Sequence, residues 1–122
     1  MKRARLFDGV DDGGEPFFAP DHPRLSDDER ALVVRFLDSG TAIRRVSRLD
    51  VDRVDRARGE VVPMTVCTDG TWLWNRGMRY YVHTYGIAPE PEFLAHMAAC
   101  EYLAVPADED AQQAALAVLR RR

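Results

Sequence analysis

Residues 61–86 read VVPMTVCTDGTWLWNRGMRYYVHTYG, and the fold turns on how that run is parsed. Asp69-Gly70 stands between two β-prone segments, flanked by Thr68 and Thr71. Asp-Gly in this setting is the strongest short-range hairpin signal. A type I′ turn needs φ > 0 at both central residues, which Gly takes freely and Asp tolerates. A two-residue loop fixes a register with Thr68 opposite Thr71, Cys67 opposite Trp72, Val66 opposite Leu73 and Thr65 opposite Trp74. Side chains alternate across a strand, so one face carries Thr65, Cys67, Trp72 and Trp74. The other carries Met64, Val66 and Leu73. Both faces are apolar, which predicts that both are covered.

The second strand runs almost directly into a helix. Asn75 suits the N-cap, because its side chain can accept from the free N–H groups of the first turn. Met78, Tyr81, Val82 and Tyr85 recur at i, i+3, i+4 and i+7 and define one buried helical face. Arg76, Arg79, Tyr80 and His83 point elsewhere, and Gly86 is the natural residue to end the helix.

The pattern Thr68-Asp69-Gly70-x-Trp72-x-Trp74, then Tyr80-Tyr81, then Pro91-Glu92-Phe93-Leu94, resembles uncharacterised small α+β proteins of high-GC bacteria. The resemblance covers the last half of the chain. It implies a shared α+β fold and brings no activity with it. In that group Trp74 would be followed by Pro-Glu or Pro-Ala; here Asn75-Arg76-Gly77 follows, so the start of the helix departs from the pattern. A hairpin that leads into a helix also looks like the immunity proteins of bacterial toxin systems.

The chain's 122 residues suit a single globular domain, 1–122, with an irregular N-terminal arm over 1–25. With 46% apolar and 30% charged residues, the composition is that of a soluble globular protein. No apolar run approaches a membrane span and MKRARLFDGV has no apolar signal core, so a cytoplasmic location is expected. Two cysteines do not make a disulfide framework. Sixteen arginines and one lysine are outnumbered by acids, leaving a net charge of −3. That balance argues against nucleic acid as a partner, since sequence-independent binding needs unbalanced positive charge.

Working outward, Ala4–Phe7 suits a short strand, and DGVDDGG at 8–14 is a turn-rich stretch without the ligand spacing of a calcium loop. Phe17 and Phe18 are expected to pin this arm. Ser26 and Glu29 form a capping box for a helix to about Asp38, with Leu32, Val33, Phe36 and Leu37 buried and Gly40 ending it. Thr41–Arg48 suits a strand. Residues 49–59, LDVDRVDRARG, alternate acids with arginines and suit a salt-bridged loop rather than a metal site at Asp50, Asp52 and Asp55. Pro89 and Pro91 set up a helix to about Tyr102, and Asp108 caps the last one. The expected architecture is α+β: a small antiparallel sheet of about three strands around the Asp-Gly hairpin, packed by about four helices.

Chemistry-bearing constellations are sparse. His96 and Cys100 lie at i and i+4 of one helix, a spacing that can hold a metal, and Cys67 and His83 would complete a Cys₂His₂ set. The separations match no zinc motif, so no metal and no cofactor are expected. A Cys–His nucleophile needs thiolate and base in reach plus an orienting group. Either cysteine could meet either histidine in the fold, but no nucleophile elbow, phosphate loop or paired catalytic carboxylate is visible. The balance leans against an enzyme. Trp74, Arg76, Arg79, Tyr80 and His83 are the binding candidates, because Trp, Tyr and Arg concentrate at binding hot spots. Whether Trp72 and Trp74 belong to the core or to an interface stays open. The expected function is a non-enzymatic protein-interaction module, an inhibitor or an immunity-like or regulatory protein. The alternative is a small enzyme or ligand-binding protein with a pocket between sheet and helices.

Overall fold

The structure, a computed structural model, describes residues 1–121. It is an α+β fold with four α-helices and a small main sheet. The sheet order is β1 (Lys2–Arg3), β8 (Trp72–Asn75), β7 (Val66–Thr68), β4 (Thr41–Arg44). β4, β7 and β8 are the three antiparallel strands expected. β1 adds a fourth at the edge and runs parallel to β8. It is stitched on by the Ala4 N–H donating to the Leu73 carbonyl at 2.7 Å. The strand thus lies at Lys2–Arg3 rather than at Ala4–Phe7. Two short ribbons stand apart: β2 (Gly9–Val10) with β3 (Pro16–Phe17), and β5 (Asp50–Val51) with β6 (Glu60–Val62).

The hairpin exists, but its register differs from the expected one. Thr68 faces Leu73, Cys67 faces Trp74 and Val66 faces Asn75. Side chains close the turn. Asp69 Oδ1 accepts from the Thr71 and Trp72 N–H groups at 3.0 and 2.9 Å. Thr68 Oγ1 accepts from the Gly70 N–H at 3.0 Å and donates to the Trp72 carbonyl at 2.7 Å. Gly70 has φ 92°, whereas Asp69 is not among the positive-φ residues, so the I′ geometry is not met. A slip of two residues leaves every side chain on its original face. Cys67, Trp72 and Trp74 therefore still share one side of the sheet.

That side is covered by α1 (Asp27–Asp38), α2 (Arg76–Tyr85) and α3 (Pro91–Ala99). Phe36, Cys67, Trp72, Trp74, Met78, Val82, Phe93 and Met97 form the main core. Trp74 lies 5.4 Å from the Phe36 ring and 5.6 Å from Phe93, centroid to centroid. Gly40 is there for space: a Cβ would lie 2.2 Å from Cζ2 of Trp74. Both tryptophans are buried. They are core residues because three amphipathic helices need an apolar sheet face to bury against.

A second core lies across α2. Val62, Tyr81 and Ile87 are buried there with Phe7, Phe18 and Met64 packed around them. Phe18 and Phe7 sit 4.9 and 5.8 Å from the Tyr81 ring and pin the N-terminal arm. Phe17 does not share the task; it is exposed. Burial pushes the Tyr81 phenol up to about 12, so its hydroxyl stays neutral and accepts from the Arg53 N–H at 2.9 Å.

Caps fall where the sequence places them. Ser26 accepts from the Glu29 N–H, Asn75 from Met78 and Asp108 from Ala111, and Gly86 ends α2 in the left-handed region. Two elements stop short of expectation. β4 ends at Arg44, past a register irregularity between Ala42 and Arg44. α3 ends at Ala99 because Glu101 and Tyr102 both turn left-handed, φ 55° and 59°, and the Arg35 guanidinium donates to their carbonyls at 2.8 and 3.3 Å. α4 (Glu109–Arg120) then packs beside β4. Among the described residues no helix is long and apolar enough to cross a membrane.

Candidate functional site

The junction of β8 and α2 carries the residues singled out from sequence. Trp74 is withdrawn into the core and offers no surface, which corrects its assignment as a contact residue. Its neighbours come out into solvent. Arg76 opens α2 and is exposed; its backbone N–H donates to the Thr65 carbonyl at 2.9 Å, which fixes where the helix starts. Arg79 is half-buried and its Nε donates to Asp38 of α1 at 3.0 Å. His83 is exposed one turn further on. Arg76, Arg79 and Tyr80, with Asp38, Val61 and Pro63, line a groove of about 400 Å³. Three of the five expected contact residues thus share one concavity, while Trp74 and His83 lie outside its lining.

Tyr80 has a second task that the sequence did not disclose. Its hydroxyl donates to Asp52 Oδ2 at 2.6 Å, and the Tyr85 hydroxyl donates to the same oxygen at 2.7 Å. Asp52 Oδ1 accepts from the Val54 and Asp55 N–H groups, both at 2.8 Å. Asp52 is wholly buried. Burial alone would raise its pKa, but the hydrogen bonds from Tyr80, Asp55, Tyr85 and Val54 together outweigh that and hold it below the ordinary carboxylate value. Burial and then the hydrogen bond to Asp52 push both tyrosines up. The acid-and-arginine loop is therefore bolted to α2 through a buried carboxylate. Its outer part is salt-bridged as expected, Arg53 pairing with Asp50 and with Glu15.

A further polar cluster lies at the sheet's turn end. Asp69, His96 and Cys100 come together, with one ligand atom of each mutually within 4.8 Å. Asp69 Oδ2 lies 2.5 Å from His96 Nε2, and Cys100 Sγ lies 3.7 Å from the same nitrogen. The i, i+4 spacing of His96 and Cys100 is legible in the sequence, whereas Asp69 shows there only as a turn residue. Cys67 faces the core and does not join them, nor does His83. Both thiols are free. The arrangement does not suit a cysteine nucleophile. The carboxylate sits on the nitrogen that would have to take the thiol proton. Burial and then the Asp69 charge push the Cys100 thiol up, away from the thiolate.

Among the described residues these features define an α+β fold with an exposed arginine-lined groove at the β8–α2 junction and two buried or half-buried carboxylate clusters. No protein-family model matches the chain, and no curated protein and no solved structure matches it either.

Proposed function

We propose that this protein is a non-enzymatic interaction module of the inhibitor, immunity-like or regulatory kind. Its partner would be a protein that presents carboxylates beside an apolar side chain to the groove at the β8–α2 junction. One observation carries the reading. Arg76 is exposed with no carboxylate within ion-pair distance among the described residues, next to a groove walled by Val61, Pro63 and Tyr80. A guanidinium beside an apolar wall and an aromatic ring has the composition of a hot spot. Arg79 adds a second guanidinium, already oriented by Asp38. The dispersed arginines and the net charge of −3 speak for a protein partner over nucleic acid.

The test is capture and crosslinking of the partner in cells of the source organism. A photo-reactive residue at position 76 should crosslink, and one at the exposed Gln113 of α4 should not. Arg76→Glu should weaken the captured complex by about 2 kcal/mol or more, roughly thirtyfold in Kd. It should leave folding intact, because an acid is favoured in the first turn of a helix. Capture unaffected by Arg76→Glu and by Arg79→Ala would reject the groove.

The alternative, a ligand-binding protein, draws on a larger cleft of about 680 Å³. Phe7, Val46, Leu49, Met64 and Val66 wall it, and Arg44 and Arg48 stand at its side. It lies by β5 and β6, not between sheet and helices. Leu49→Glu discriminates: it spoils that cleft and leaves the junction groove untouched, so it should not affect partner capture.

A further inference from the structure

The Asp69, His96 and Cys100 cluster is assembled from two elements far apart in sequence. Asp69 comes from the turn between β7 and β8; His96 and Cys100 come from the last turn and C-cap of α3. We propose that these three residues bind one divalent transition-metal ion of the zinc class. The proposal rests on none of the groove residues.

The donor set is a carboxylate oxygen, an imidazole nitrogen and a thiolate sulfur, each an ordinary zinc ligand. Mixed hard and soft donors of this kind select zinc and its neighbours over magnesium or calcium, which take oxygen alone. Each ligand is already held. Asp69 spends Oδ1 on two backbone N–H groups, which aims Oδ2 at His96. The Asp69 side chain is 2% exposed, so its direction is fixed by packing as well. The His96 ring packs against Phe36 and Trp72, at 6.0 and 6.3 Å between centroids. Such an outer shell is what orients metal ligands.

The convergence itself is informative. Oδ2 and Sγ both face one nitrogen, His96 Nε2. A single N–H can donate well to one of them. An ion at the centre of the three would bind all of them. The 3.7 Å between Nε2 and Sγ is close to the edge of a tetrahedron with Zn–N near 2.0 Å and Zn–S near 2.3 Å, about 3.5 Å. Oδ2, at 2.5 Å from Nε2, would open by about 0.8 Å once the shared proton gives way to the ion. On binding, the Cys100 thiol proton leaves to solvent, and the imidazole keeps its remaining proton on Nδ1. His96 remains 21% exposed, which leaves the fourth position to water. Three protein ligands and one water is the open form of a zinc site. The expectation of no metal, drawn from spacing, is the one this geometry speaks against.

Cobalt(II) titrated into the reduced, chelator-stripped full chain is the probe, because a thiolate on cobalt gives a charge-transfer band and a tetrahedral site gives visible d–d bands. One equivalent should bind, and zinc should displace it. Cys100→Ser should abolish the charge-transfer band and Cys67→Ser should keep it. His96→Gln and Asp69→Asn should each weaken binding by about tenfold or more, since even outer-shell changes cost that much. Far-ultraviolet circular dichroism would confirm that the half-exposed Cys100→Ser protein is folded. No stoichiometric uptake by the folded wild-type chain, or a thiolate band that survives Cys100→Ser, would overturn the assignment.

Discussion

Asp52 is the residue on which sequence and structure part most sharply. In the sequence it is one acid among several in LDVDRVDRARG, where alternation with arginine points to a solvated, salt-bridged surface. In the fold it is fully buried and takes four hydrogen bonds, none from an arginine. Nothing local announces this; the two tyrosines that reach it lie 28 and 33 residues away. Asp52→Ala would leave two backbone N–H groups and two half-buried phenols without their acceptor. We expect a loss of about 2–4 kcal/mol at neutral pH, measured by urea unfolding. The sign of the pH dependence follows from the lowered folded pKa. An unfolded aspartate titrates near 3.8, so above that value the contribution is complete. It is lost as the pH falls through the lower, folded value. The gap between wild type and variant should therefore narrow in acid. A gap that is small at neutral pH, or that widens on acidification, would remove Asp52 from this role.

At the scale of elements, what depends on neighbours in sequence was legible. The Ser26, Asn75 and Asp108 caps and the Gly86 terminus appear as read, although Glu29 accepts from the Ser26 hydroxyl and not from its backbone N–H. Met78, Tyr81 and Val82 of the α2 face are buried, and Tyr85 is half-buried. Caps and helical faces are set within a few residues, so one sequence suffices to see them. The hairpin was legible as a hairpin, but its register was not. Asp69 and Thr68 use their side chains to close the turn, and the loop is two residues longer than expected, 69–72. Gly70 keeps its importance in the altered turn. It holds φ 92°, and a Cβ there would meet only Ala111 at 3.7 Å, so the cost of a side chain lies in the backbone. Gly70→Val should lose about 1–3 kcal/mol, read as a lower Tm. A variant that melts with the wild type would show that the turn relaxes without strain. The end of α3 depends instead on a long-range contact, Arg35 of α1 holding the carbonyls of Glu101 and Tyr102, and β4 ends past the register irregularity between Ala42 and Arg44.

On the scale of the molecule, α2 is the wall between two cores. Met78 and Val82 belong to the core under the helices, while Tyr81 belongs to the one that holds the N-terminal arm. A shared helix should make the two unfold together. Phe18→Ala removes a ring that meets Tyr81 edge-on, with no tryptophan in its cluster, and should cost about 2 kcal/mol for a half-buried ring. Tryptophan fluorescence should nevertheless report that loss, in step with circular dichroism. An unmoved fluorescence midpoint would mean that the arm melts separately. By itself the sequence determined the α+β class, the three antiparallel strands, the helices with their caps, and which strand face the tryptophans occupy. These follow from periodicity, propensity and turn chemistry, which act over a few bonds. Tertiary structure alone decided that Trp74 is core and leaves the groove to Arg76, Arg79 and Tyr80. It alone brought Asp69 to His96 and Cys100, and buried Asp52 beneath two tyrosines. Each of these depends on which helix comes to cover which surface, and that is set by burial summed over the whole chain.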